Sequence, residues 1–153
     1  MRGPMRSILA VLIATTLSFG ACSNDSSSGP STPSTLNLAG TWTGSVTFQG
    51  VTAQMSWMLS ESGTSVSGPV LVALSSGTVL LNGSLTGTIS GSTLTYTISV
   101  AADGIPSRPT CTGQLSGTMT VTIGSPSTMT GAPTISSNTC APPISSENVT
   151  LTR

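Results

Sequence analysis

The chain has 153 residues and a formal net charge of zero, and only 5% of it is charged, against about 25% in an ordinary globular domain. Lys and His are absent, and Ser plus Thr make up roughly a third of the residues. There is no basic face for a nucleic acid to bind, no imidazole for general-base or metal-ligand duty, and no charge run for an electrostatic partner. The expectation is a single domain of non-enzymatic type with no cofactor, no metal and no nucleic-acid partner.

The chain opens MRGPMRSILAVLIATTLSFGAC. Arg2 and Arg6 give a positive flank, and Ser7 to Phe19 form an uncharged apolar stretch. The stretch is short for a spanning helix, which needs about 20 residues, and suits an export signal. Gly20-Ala21-Cys22 resembles the lipobox of bacterial lipoprotein precursors. That resemblance implies a signal peptide over 1–21, cleavage before Cys22, and acyl chains on Cys22. It also implies a membrane partner engaged through those chains, because two or three of them hold a protein on a bilayer where one does not. Ser23 stands where the lipoprotein family uses Asp for inner-membrane retention, which implies outer-membrane sorting. A plain secretory cut after Gly20 or Ala21 is the alternative.

Residues 22–37 then carry the acylated Cys and a Ser/Pro-rich run broken by Pro30 and Pro33. Such a run buries too little apolar surface to offset its chain entropy and reads as a disordered tether. If Cys22 bears lipid, Cys111 and Cys140 remain to pair, and an exported protein sits where a disulfide persists. That bridge would stabilise the domain by about 3.5 kcal/mol through the unfolded chain. The same two residues without His or a Cys-X-X-Cys spacing make a poor zinc or redox site.

From 38 to 153 the apolar pattern has period two. Leu94, Tyr96, Ile98 and Val100 alternate with hydroxyl residues, and Leu115, Met119, Val121 and Ile123 share a face with Gly117. Half-buried strands alternate in this way, and helices do not. Turn-forming clusters at 61–64, 75–78, 90–92 and 124–127 divide the region. The expected strands are 40–49, 52–60, 65–74, 78–90, 92–101, 111–123, 127–135 and 146–153. Mid-strand Gly87 and Gly117 fit a sheet that bends hard. A chain without Lys has little to protect exposed sheet edges, and closure removes them. The fold expected is therefore an all-β, antiparallel, up-and-down β-barrel of about eight strands, with a β-sandwich as the alternative. A transmembrane barrel is disfavoured, because aromatic girdles are missing.

Gly40-Thr41-Trp42 opens the first strand and Arg153 ends the last. This pattern resembles the lipocalin and wider calycin barrels. The resemblance implies that Trp42 closes the barrel floor and that Arg153 packs across it, with Gly40 part of the same floor motif. Eight strands leave an interior either just filled by side chains or able to hold one small ligand, and a small apolar molecule is the expected one. Phe48, Met55, Trp57 and Tyr96 are the candidates for lining that lumen. The same bulky residues could instead fill it, which would make the domain a structural or interaction module of the cell envelope. No Ser-His-Asp set, nucleophile elbow or close carboxylate pair can be assembled.

Overall fold

The computed structural model describes residues 36–48, 50–139 and 148–153, with the side chain of Phe48 outside that description. The export signal, Cys22, the tether as far as residue 35 and Cys140 lie outside the described residues, whereas Leu36 and Asn37, expected in the tether, pack on the barrel. Nine strand segments are described: β1 (Gly40–Phe48), β2 (Val51–Ser62), β3 (Ser65–Ala73), β4 (Val79–Ser90), β5 (Thr93–Val100), β6 (Gly113–Thr122), β7 (Thr128–Gly131), β8 (Thr134–Asn138) and β9 (Val149–Thr152). Antiparallel pairing runs from β1 through β6 in chain order, then β6 to β7, β7 to β9, and β9 back to β1. This is a closed eight-stranded antiparallel barrel, and the β-sandwich is set aside.

Most strand ends lie within two residues of the sequence expectation, and three regions differ in ways that matter. The seventh strand breaks at Ala132-Pro133 and resumes as β8, which pairs with the first half of β6 while β7 pairs with its last residues. Pro133 has no N–H to give a ladder, so a break there follows from its chemistry. The sixth strand starts at Gly113, two residues later than expected, because the Cys111 N–H is taken by the Arg108 carbonyl at 2.9 Å inside the preceding loop. The last strand is described from Val149, and residues 146 and 147 lie outside the description.

The two faces are sorted as the period-two pattern dictates. In β5, Leu94, Tyr96, Ile98 and Val100 are buried, while Thr95 and Ser99 are exposed. The outward Thr rows meet across strands, as with Thr130 and Thr150, whose hydroxyls are 3.4 Å apart. An apolar interior under a hydroxyl exterior is the reverse of a lipid-facing barrel, whose apolar band points out.

Glycines let so narrow a barrel close. Gly44, Gly68, Gly83, Gly87, Gly117 and Gly131 share the inward register with large neighbours. At Gly68 an added Cβ would lie 1.9 Å from the Met58 carbonyl oxygen, and at Gly131 it would lie 2.0 Å from that of Thr118. The adjoining strand backbone occupies the space a side chain would need. Small and large inward residues thereby alternate around the wall, as a filled small barrel requires.

Candidate functional site

The two ends of the barrel differ. At one end the chain enters through residues 36–39, and Leu38 is fully buried. The Leu38 N–H donates to Glu61 Oε2 at 2.6 Å, and Trp42 Nε1 donates to the Leu38 carbonyl at 2.8 Å. The Arg153 guanidinium lies 4.8 Å from the Trp42 ring centroid. It also donates to the carbonyls of Ala39 and Asn37, the latter at 2.9 Å. Gly40 adopts a φ of +126°, with the Arg153 Cδ 3.2 Å from where its Cβ would be. Gly40, Trp42 and Arg153 thus meet at one end of the barrel. Glu61, which the sequence presents only as a turn residue, joins them by holding the entering chain.

Halfway along, the interior is filled by rings. Trp42 and Trp57 are cross-strand partners, and Trp57 meets Tyr96 edge to face with centroids 5.0 Å apart. Such contacts add about 0.5–1.5 kcal/mol beyond their area. Tyr96 lies in register between Gly87 and Gly117, and its hydroxyl is 3.0 Å from where a Gly117 Cβ would sit. Gly117, seen in the sequence as a bend point, therefore also makes room for this ring, while at Gly87 the space is taken by the Thr95 carbonyl and Leu94. Burial pushes the Tyr96 phenol up to about 12 from an ordinary value of 10.0. A phenol with a raised folded pKa lends stability that is complete below pH 10.0 and is lost as pH climbs through about 12. Tyr96 is the sole Tyr in the chain, so absorbance at the phenolate band should report its titration directly. A midpoint near that of free tyrosine in the folded protein would contradict this burial.

The other end holds an apolar cavity of about 90 Å³. Met55, Val70, Val72, Ile98, Val100 and Ile105 form much of its wall. Thr112, Gln114, Ser137 and Asn138 add polar groups. Ile105 comes from the loop between β5 and β6, which is pinned to β4 where the Asn82 N–H donates to the Gly104 carbonyl at 2.7 Å. The four lumen candidates separate here. Met55 lines the cavity, and the Phe48 side chain lies outside the description. Trp57 and Tyr96 stand one inward step deeper than Met55 and Ile98 along β2 and β5, packed in the core instead of on the cavity wall. The lining residues that sequence reasoning missed are mostly aliphatic ones, spread over β3, β4, β5, β6, β8 and the β5–β6 loop. Inward parity marks them as buried, but only the register shows which of them reach this end.

Cys111 is buried beside the cavity, and its neighbour Thr112 exchanges hydrogen bonds with Thr139: the Thr139 N–H donates to the Thr112 carbonyl at 3.1 Å and the Thr112 N–H to Thr139 Oγ1 at 3.0 Å. Glu61 and Asp103 lie at opposite ends of the barrel, so these two carboxylates do not form a pair.

No protein-family profile matches the chain, and no curated protein matches it. The chain is similar to a redesigned β-barrel, mFAP1, whose structure was solved bound to DFHBI. The TM-score is 0.54 at 22% identity, over 76% of this chain and 94% of that one. At that identity the likeness is one of fold, and the fold it shows is a small β-barrel.

Proposed function

We propose that this protein is a lipid-anchored envelope lipoprotein whose lipocalin-like barrel binds a small apolar molecule without transforming it. The apolar cavity at the end opposite Trp42 and Arg153 carries this reading. The solved neighbour, a small barrel bound to DFHBI, supports it by analogy of fold. A volume of about 90 Å³ is below the 300–1,000 Å³ of drug-sized pockets, so the ligand is small or the lining yields to it. Filling of one end of the barrel by Trp42 and of its middle by Trp57 and Tyr96 favours a second reading, a structural or interaction domain with no ligand.

In this reading Cys22 carries the acyl chains, the run from it up to residue 35 is the tether, and the outer membrane is the destination. Cys111 and Cys140 form a disulfide, supported by the hydrogen bonds that bring their neighbours Thr112 and Thr139 together. Cys22→Ser should abolish acyl labelling and release the protein from membranes, and persistence of either would remove the anchor from the proposal. Native mass spectrometry of the exported Cys22→Ser protein tests the rest. A mass two hydrogens below the reduced chain reports the disulfide, and two free thiols refute it. A reproducible added mass after exposure to envelope lipid extract supports the binding module. A clean unliganded mass transfers the case to the filled structural barrel.

A further inference from the structure

We infer that the molecule this barrel takes is small, uncharged and furnished with one hydrogen-bond acceptor, which it presents to Trp57 Nε1. The inference rests on the binding reading above and names the chemistry of that site.

Trp57 is only 1% exposed, and its indole N–H is the one buried side-chain polar atom among the described residues with no hydrogen-bond partner. Buried N–H groups are almost always paired, so an orphan in a closed interior calls for an explanation. The contrast within the chain sharpens the point. The other indole, Trp42, is equally buried and gives its proton to the Leu38 carbonyl at 2.8 Å.

The residue that carries the orphan donor neighbours two residues of the cavity wall. Trp57 follows Met55 by one inward step on β2, and its cross-strand neighbour on β3 is Val70. Met55 and Val70 both line the cavity. Met55 is an unbranched thioether with rotatable torsions and can re-pack with little strain. Its movement would extend the cavity toward the indole, which the present volume of about 90 Å³ does not reach. The cavity lining contains no charged side chain, so a charged ligand would be desolvated without compensation. A carbonyl or ether oxygen on an apolar body meets both conditions: the body replaces contacts with aliphatic walls, and the oxygen accepts the one unsatisfied proton.

The test uses the whole exported domain with Cys22 replaced, and a shape-matched pair of probes, cyclohexanone and methylcyclohexane. The chain has two Trp residues, so its two indole N–H resonances are assigned with a single Trp42→Phe variant. In the free protein the Trp57 resonance should stand at the unbonded, upfield position, with that of Trp42 downfield. Cyclohexanone should move the Trp57 resonance downfield and bind about tenfold more tightly than methylcyclohexane. Trp57→Phe should erase that preference while the hydrocarbon still binds. Equal binding of both probes with the Trp57 resonance unmoved would overturn the acceptor assignment and leave the cavity reading intact. A Trp57 resonance already downfield in the free protein would mean that a buried water serves the donor, and would also overturn it. Binding of neither probe, even with Met55→Ala to widen the site, would refute both readings.

Discussion

Trp42→Ala should destabilise the domain by about 3–5 kcal/mol, the cost of truncating a large aromatic in a packed core. Against a usual domain stability of about 5–15 kcal/mol, this leaves the fold marginal. The size follows from what the indole joins. It is fully buried, it gives its N–H to the Leu38 carbonyl, and it supports the Arg153 guanidinium at 4.8 Å. Arg153 in turn holds the Ala39 and Asn37 carbonyls, so one ring couples the entering chain, β1 and the last residue. Arg153→Met removes the cation but keeps an apolar stem over the ring. It should cost less, about 0.5–2 kcal/mol for the ring contact. Urea unfolding at constant slope measures both. A Trp42→Ala midpoint indistinguishable from that of the parent would mean that this end of the barrel does not hold the fold together.

Gly44→Ala should open the barrel at its seam. The new methyl would sit 2.2 Å from the Thr150 carbonyl oxygen and 2.9 Å from Leu151 Cδ2, both on β9. The carbonyl belongs to backbone and cannot swing aside, so β9 must move away from β1. Between those two strands the register holds a single pair, Thr43 with Thr152. A clash there cannot be shared along a long ladder. The expected cost is about 1–3 kcal/mol, the range for overpacking. Hydrogen exchange should quicken first in β9 and the facing part of β1, while β2 to β5 stay protected. Gly113→Ala is the control: its nearest contact would be 3.1 Å from the Ser137 carbonyl, and it should cost about 1 kcal/mol or less. Equal losses in the two variants would show that glycine is needed for reasons other than space.

The interior glycines show how far a one-dimensional pattern reaches. Gly87 and Gly117 stand out within otherwise alternating strands, and a bend is the natural reading of them. That reading lacks the partners. Register sets Tyr96 between them; its ring crowds the Gly117 position, while the Thr95 carbonyl and Leu94 crowd that of Gly87. The lumen candidates show the converse. Met, Trp and Tyr residues on an inward face are all plausible liners, yet depth along the strand separates them. Met55 reaches the cavity, while Trp57 and Tyr96 meet each other in the middle of the core.

What this sequence settles unaided is set by short-range physics. Alternation of apolar and hydroxyl residues has only one regular solution, a pleated strand with one buried face. Gly-rich turns between such strands place successive ones side by side. From these follow the all-β class, the approximate strand positions and the parity of nearly every core residue. The absence of Lys and His likewise excludes chemistries without any knowledge of the fold. The tertiary structure decided the rest, because it depends on which strands meet across distance in the chain. Closure of β9 onto β1 brings Arg153 to Trp42, across 114 positions from its acceptor Ala39. The same closure sets the depth of each inward residue, and so determines which of them line the cavity and that the Trp57 indole N–H is buried without a partner. Local pattern tells a side chain which face to take, and only the shear of a closed barrel tells it what it will touch.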